Sequence, residues 1–273
     1  GGDVVMESRG LRIALRVWVT LVLLFFFVPI ALIVLYAFNK SNIESWPIPG
    51  LTWHWFGVAW NDSQVRAALW LSVRVGLAAT ALALVLGGMV SFALYQFSFF
   101  GRDAISLLLV LPIALPGIIT GIALNSFFSF TGIPFSALTI VAGHTTFCIV
   151  VVFNNLIARL RRMPGSLAEA SMDLGAHGWQ TLRYIFLPLS ATALVSGALL
   201  AFALSFDEVI VTIFTAGAQN TLPLWIFGAI RLGQQLPEVN AVVTIVILLT
   251  LIPVVLAARI AGTGAINRSG RSA

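Results

Sequence analysis

Few residues in this chain are of a type that does chemistry, so their positions carry the reading. Asp207 and Glu208 stand side by side at the end of a long apolar run, and His144, followed by Thr145 and Thr146, lies inside another. Cys148 is the single cysteine; it cannot form an intrachain disulfide, and it too sits in an apolar run. Ser166-Leu167-Ala168-Glu169 has the Ser-x-x-Glu spacing of a capping box, in which the hydroxyl accepts a backbone N–H and the glutamate reaches back to the cap. Lys40 is the only lysine among 15 basic residues. A Walker phosphate loop needs Gly-x-x-x-x-Gly-Lys-Ser/Thr, its lysine reaching the terminal phosphates. Lys40 follows Tyr36-Ala37-Phe38-Asn39 with no glycine before it, which excludes ATP hydrolysis by that machinery. No nucleophile triad, metal cluster or redox site can be assembled, so no catalytic and no metal-binding residue is expected.

The elements that hold these residues are set by solvent. The chain is 59% hydrophobic and 9% charged, with a mean hydropathy of +1.01; an ordinary soluble domain carries about 25% charged residues. Lipid is therefore the solvent over most of its length. A membrane helix needs roughly 20 mostly apolar residues to cross the hydrocarbon. Such runs are found at Val17–Phe38 and Ala67–Phe97. Residues 104–158 contain no charge at all and are divided by the turn Thr131-Gly132-Ile133-Pro134. A fifth run begins after Arg183 and continues past Asp207 to about Phe214, and a sixth covers Val239–Ala258. This predicts an all-α, polytopic membrane protein with six transmembrane helices; the short alternating segments of a β-barrel are lacking.

Basic residues orient the bundle. With the N-terminus in the cytoplasm, Arg9, Arg12, Arg16, Arg102, Arg159, Arg161, Arg162, Arg183, Arg259, Arg268 and Arg271 fall inside, against Lys40, Arg66 and Arg231 outside, with Arg74 in a span. The pI near 10.3 is then a topology signal, and no nucleic-acid partner is needed to explain it. The outer loop Asn39–Val65 carries Trp46, Trp53, Trp55 and Trp60, residues that settle at headgroup level. Within it Leu51–Phe56 reads as a short interfacial helix, and Pro223–Phe227 as a second. The Gly-Gly-Asp start without a methionine points to a trimmed or added beginning, and residues 1–8 carry no weight.

The longest cytoplasmic loop, residues 159–185, is patterned like structure. After the breaker Pro164, the capping box opens a short helix that ends at Gly175, where a left-handed cap belongs. A second short helix is expected from Trp179 through Tyr184, before Pro188 opens the fifth span. The residues Glu169-Ala170-Ser171, Gly175, Ile185, Leu187 and Pro188 resemble the cytoplasmic signature of permeases of ATP-binding-cassette importers: Glu-Ala-Ala, three residues, Gly, nine residues, Ile, one residue, Leu-Pro. Ser171 in place of the second alanine is the one departure, a small-for-small change expected to matter little. The resemblance implies the type I importer permease (MetI-like) fold and makes these seven residues the ATPase-coupling set, forming helices that dock on a separate ATPase. It divides the chain into a cytoplasmic segment 1–16, a permease domain 17–260 containing the coupling loop, and a cytoplasmic tail 261–273.

Ser205-Phe206-Asp207-Glu208-Val209, Thr221-Leu222-Pro223-Leu224, Pro237-Glu238-Val239-Asn240-Ala241 and Leu111-Pro112-Ile113-Ala114-Leu115-Pro116-Gly117 are similar to the second permease of spermidine/putrescine importers. Permeases for iron(III), opines and aminoethylphosphonate share much of this pattern. The resemblance implies a multi-pass protein of the bacterial inner membrane with both termini cytoplasmic. Its partners would be two ATPase subunits that bind ATP and Mg, a second homologous permease and an extracytoplasmic substrate-binding protein; this chain itself holds no cofactor. Asp207 and Glu208 are the substrate-pathway candidates, since ionisable groups at membrane depth suggest a role; adjacent helical residues point about 100° apart, so only one of the two is expected to face the pathway. The alternative is that at least one of them faces outer water, or pairs with Arg74 or with an arginine of a partner permease. Glu238 reads as a first-turn partner of a helix dipole. In the third span, Gly117-x-x-x-Gly121 favours close helix packing, and the prolines a kink or a pathway-lining break. Thr145 and Thr146 are expected to bond back to their own helix, and His144 to find a partner inside the bundle. An ion-driven secondary transporter is the alternative class; it would show paired broken helices with buried carboxylates and has no use for the 169–188 pattern.

Overall fold

The computed structural model of the chain describes residues 9–233 and 236–251. Among these residues the fold is all-α, with one isolated antiparallel bridge between Asn39 and Leu51. The helices are α1 (Arg9–Ala37), α2 (His54–Asn61), α3 (Ser63–Gln96), α4 (Arg102–Ala114), α5 (Gly117–Thr131), α6 (Ala137–Leu160), α7 (Ser166–Asp173), α8 (Gly178–Thr181), α9 (Leu187–Asp207), α10 (Ile210–Thr215) and α11 (Leu222–Leu232), followed by α12 (Leu236–Leu251). Among the described residues four helices are long and apolar enough to cross a membrane: α1, α3, α6 and the continuous helix Gly178–Asp207. Together α4 and α5 make a fifth, bent by 103°. The expected sixth span falls on α12, and its remainder to Ala258 lies outside the described residues, as does the tail 261–273.

The described residues form two compact units, 9–65 with 229–233 and 236–251, and Arg66–Gly228. In the first, α1 exposes every side chain over residues 9–32, and from Val17 on it is apolar on all sides, as a helix meant for lipid or for other helices must be. The chain after it is pinned by Asn39, whose side chain donates to the Ile43 carbonyl (3.0 Å) and accepts from the Ser41 N–H (3.1 Å). The Asn39 carbonyl accepts from the Trp55 indole (2.8 Å). Lys40 N donates to the Gly50 carbonyl and Thr52 N to that of Phe38. Leu51 and Thr52 are thus spent on a bridge, so the surface helix expected at Leu51–Phe56 begins only at His54. The second expected surface segment is observed as α11.

In the second unit the core is organised on α6. Along α3, Leu71, Val75 and Ala79 pack on Ile140 and Val141, Ala83 joins Phe147, Cys148 and Val152, and Leu94 meets Phe153 and Ile157. The spacing of 71, 75, 79 and 83 is one face of a helix. Close approach is made by small residues: a Cβ on Gly197 of α9 would sit 3.4 Å from the Val152 Cα.

The bend between α4 and α5 follows from Pro116. A residue before proline is pushed out of the helical region, and Leu115 is extended (ψ 141°) after its N–H has made a last helical bond to the Leu111 carbonyl. Pro112, by contrast, is held inside α4. Beyond the bend α5 packs on α10, with Ile210 3.7 Å from the place a Gly117 Cβ would take. A Cβ on Gly121 would stand 2.5 Å from a Phe214 ring carbon and 3.3 Å from the Phe214 Cβ, too near the backbone to relax cheaply. Gly121→Ala is expected to destabilise this contact by about 1–3 kcal/mol, the usual range for overpacking. It should lower the melting temperature of the purified membrane protein, and Phe214→Leu should restore part of the loss.

Candidate functional site

Two places bring the singled-out residues together: the stretch 164–188 between α6 and α9, and the break between α9 and α10.

In the first, α7 starts differently from the capping-box expectation. Gly165 is the N-cap, with no side-chain cap bond, and Ser166 is already helical. The Leu167 N–H is taken by the Pro164 carbonyl (3.2 Å), so the turn at Pro164 satisfies the helix start and the Ser166 hydroxyl is not needed. The other end is as expected. Gly175 adopts φ +85°, its N–H donates to the Met172 carbonyl (2.8 Å), and the Ala176 N–H reaches that of Ser171 (3.1 Å), the paired bonds of a Schellman cap. His177 then caps α8 together with Gln180, whose side-chain oxygen accepts the His177 N–H (2.9 Å).

The separate second helix and the restart at Pro188 are also corrected. The chain is helical without interruption from Gly178 to Asp207, passing through a π turn at Leu182–Phe186 in which the Leu187 N–H bonds to the Leu182 carbonyl. Pro188 has no N–H, and its ring would crowd the carbonyl four residues back; widening the preceding turn relieves both. Phe186, buried beside Leu156 and Leu160, anchors this turn, 5.5 Å ring to ring from Tyr95. Arg159 on α6 donates to the Leu189 carbonyl (3.0 Å).

Of the seven coupling candidates, Glu169, Ala170, Gly175 and Pro188 are exposed and Ile185 and Leu187 half-buried, while Ser171 is buried at 5% exposure. Its hydroxyl lies 2.9 Å from that of Thr181, the only side-chain hydrogen bond between α7 and α8 among the described residues. The departure expected to matter little therefore makes a contact that alanine cannot. Around it the surface is apolar and uncovered: Leu174 is 89% exposed, and Met172, Trp179 and Tyr184 more than half. A groove of about 890 Å³ runs alongside, between residues 84–97 at the end of α3 and Ala168, Met172, Trp179 and Leu182. Ser171→Ala removes this link, leaving the Thr181 hydroxyl only its longer bond to the His177 carbonyl (3.4 Å), and should loosen α8 by about 1 kcal/mol, read as roughly fivefold faster amide exchange at residues 178–181.

The second place corrects the fifth span, which ends at Asp207 instead of running to Phe214. Glu208 is extended (ψ 116°), and its carboxylate turns back to accept the Val211 N–H (2.9 Å) at the start of α10. The β-branched run Val209–Ile213 favours helix weakly, which helps make a break tolerable here. Asp207 is exposed and Glu208 half-buried, so the pair divides into one available carboxylate and one engaged as a cap. The break is held from outside by Asn125 of α5, which donates to the Phe214 carbonyl (2.7 Å), and by Thr139 of α6, which donates to that of Thr215 (2.8 Å). His144 is buried between the Ser205 hydroxyl (2.8 Å) and the Thr212 hydroxyl (2.9 Å). Thr145 and Thr146 bond back to the carbonyls of Val141 and Gly143, as expected, and Cys148 donates to the Ala201 carbonyl. Arg74 stacks on Trp70 of its own helix (5.6 Å). Sequence reasoning missed Asn125, Thr181, Ser205 and Thr212; their one signal was being polar inside or beside apolar runs.

Comparison with known proteins adds three findings. The profile of the family described as "binding-protein-dependent transport system inner membrane component" matches residues 80–263. The chain is 36% identical over 234 residues to a spermidine/putrescine transport system permease protein of Haemophilus influenzae, covering 85% of this chain and 90% of that one. It is 33% identical over 232 residues to a putrescine transport system permease protein of Escherichia coli (82% of each). A putative 2-aminoethylphosphonate transport system permease protein of Salmonella paratyphi A is 27% identical over 261 residues (90% and 96%). Among solved structures, a bacterial ABC transporter involved in the import of the acidic polysaccharide alginate superposes with a TM-score of 0.68 at 17% identity, covering 94% of this chain and 98% of the matched chain; at that identity the likeness bears on fold alone.

Proposed function

We propose a function from one premise: the chain belongs to the family of inner membrane components of binding-protein-dependent transport systems. It is a multi-pass permease subunit, and we infer that it forms part of a translocation pathway for small aminoalkyl cargo, most closely putrescine or spermidine, coupled to ATPase subunits on the cytoplasmic side. Those subunits supply the ATP and Mg site, a second permease completes the pathway, and an extracytoplasmic binding protein delivers the cargo. The N-terminus and the 164–188 stretch are cytoplasmic in this reading.

The observation that carries it is the surface built by α7 and α8. Two short helices, capped at Gly175, joined by Ser171 and Thr181 and anchored by Phe186, hold out Glu169, Met172, Leu174 and Trp179. Contiguous exposed apolar side chains of this kind mark an interaction site, and the segment continues into α9 without a flexible joint, so a push on it is transmitted along the helix. Glu169 needs no acid–base role; it lies in the first turn of α7, where a carboxylate is favoured.

The cargo assignment rests on shared chemistry. Putrescine, spermidine and 2-aminoethylphosphonate, the compounds in the relatives' names, all carry a primary ammonium group, and Asp207 is the exposed carboxylate at the α9–α10 break. The break itself also has the form expected of a transporter site, where irregular backbone is tolerated next to a polar path.

Glu169→Lys is expected to leave membrane insertion intact while uptake falls at least tenfold and ATP hydrolysis by the complex loses its dependence on loaded binding protein; unchanged uptake would remove the coupling assignment. Asp207→Asn should raise the half-saturation concentration for putrescine in reconstituted vesicles about five- to tenfold, the loss of one charge-assisted contact. Equal half-saturation for both proteins would move the cargo away from cations.

A further inference from the structure

His144 is buried at 1% exposure in α6 and both its ring nitrogens are engaged. The direction of those bonds can be worked out. The Thr212 hydroxyl has one proton and donates it to the Glu208 carbonyl at 2.7 Å. Its oxygen can then only accept from the imidazole, so His144 Nε2 carries a proton; in the neutral ring Nδ1 then accepts from the Ser205 hydroxyl. One directed chain results: Ser205 O–H to Nδ1, Nε2–H to Thr212, Thr212 O–H to the carbonyl of Glu208. Ser205 belongs to the last turn of α9, Thr212 to the first turn of α10, and Glu208 is the residue at which the helix is broken.

A buried histidine satisfied by its neighbours is common, and such a residue is ordinarily held by one adjacent helix. Here the two partners lie on opposite sides of a break, and the chain ends on the backbone of the break itself. The carboxylate of Glu208 closes the same turn through the Val211 N–H. No other side chain among the described residues bonds to both α9 and α10. The residue left free by this arrangement is Asp207, whose direction is set by the last turn of α9 and by the elbow that follows.

We propose that His144 is a positioning residue of the transport pathway: as a neutral, Nε2-protonated imidazole it clasps α9 to α10 and thereby sets the direction in which Asp207 presents its carboxylate to the ammonium group of the cargo. The clasp is read from geometry alone, while its consequence for cargo rests on the proposed role of Asp207.

The test uses the intact transport complex in proteoliposomes. Two readouts keep the proposal and the cargo reading apart. The first is geometric: with Cys148 buried, Asp207→Cys introduces one reactive thiol, and its labelling rate by a membrane-impermeant maleimide is measured. His144→Leu should change that rate at least threefold. His144→Gln, whose amide N–H can still reach Thr212, should stay within twofold of the parent, and Thr212→Val should behave like His144→Leu. The second is functional: His144→Leu should raise the half-saturation concentration for putrescine about fivefold, and in the Asp207→Asn background should add less than twofold, because residues acting through one another are not additive. An unchanged labelling rate, or equal effects of His144→Leu and His144→Gln, overturns the clasp. Full multiplication of the two half-saturation effects overturns the action through Asp207. Changed labelling with no effect of Asp207→Asn on uptake upholds the clasp and removes the cargo reading. A fall in maximal rate that only tracks the amount of assembled complex, with labelling and half-saturation unchanged, reduces His144 to a packing residue.

Discussion

Inside hydrocarbon a backbone N–H or C=O with no partner costs several kcal/mol, and among the described residues helices are interrupted within apolar runs at Leu115–Pro116 and at Glu208–Val209. Much of the second unit can be understood as the answer to that constraint. Several of the groups freed at Glu208 and at the end of α10 are met by side chains: the Glu208 carbonyl by Thr212, the Val211 N–H by the Glu208 carboxylate, and the carbonyls of Phe214 and Thr215 by Asn125 and Thr139. The donors come from α5 and α6 as well as from α10 itself. A six-residue helix such as α10, too short to persist alone, is held in place by its neighbours' polar side chains and by the packing of Phe214 against Gly121.

The same economy governs the other end of α9. Pro188 would interrupt a straight helix, and the chain absorbs it with a π turn, so that α8 and α9 remain one continuous rod. Because that rod reaches Asp207, the proposed docking surface and the proposed pathway carboxylate lie at the two ends of one helix. Coupling over such a distance requires a rigid element with alternative packings. The rod is the rigid part, and the glycine-lined contact of α9 with α6 at Gly197 is where it bears on the rest of the bundle.

α6 links these themes. It is the most buried of the apolar spans, and it carries Arg159 at one end, Cys148 at its middle and His144 and Thr139 toward the other. Each of these bonds to a carbonyl or hydroxyl of α9 or α10 or the residue that follows. An apolar helix supplies packing without direction; a few hydrogen bonds placed along it give the pair a register.

The amino-acid sequence by itself determined the solvent, the positions of the first four apolar spans and the family, because those depend on composition, on the length of apolar runs and on fixed local spacing. It also identified the cap at Gly175, where a left-handed residue follows from the chain's own geometry. Only the tertiary structure decided that Ser166 is not a cap, that Ser171 is a buried link to Thr181, that Pro188 is carried through a π turn, and that Asp207 and Glu208 part company at a break. Each of those depends on a partner distant in sequence or on a turn already satisfied by a backbone carbonyl, as with Pro164. His144 shows the division most clearly. Its polarity inside an apolar run was visible, but its partners, 61 and 68 residues further along, become neighbours only when α9 and α10 fold back against α6.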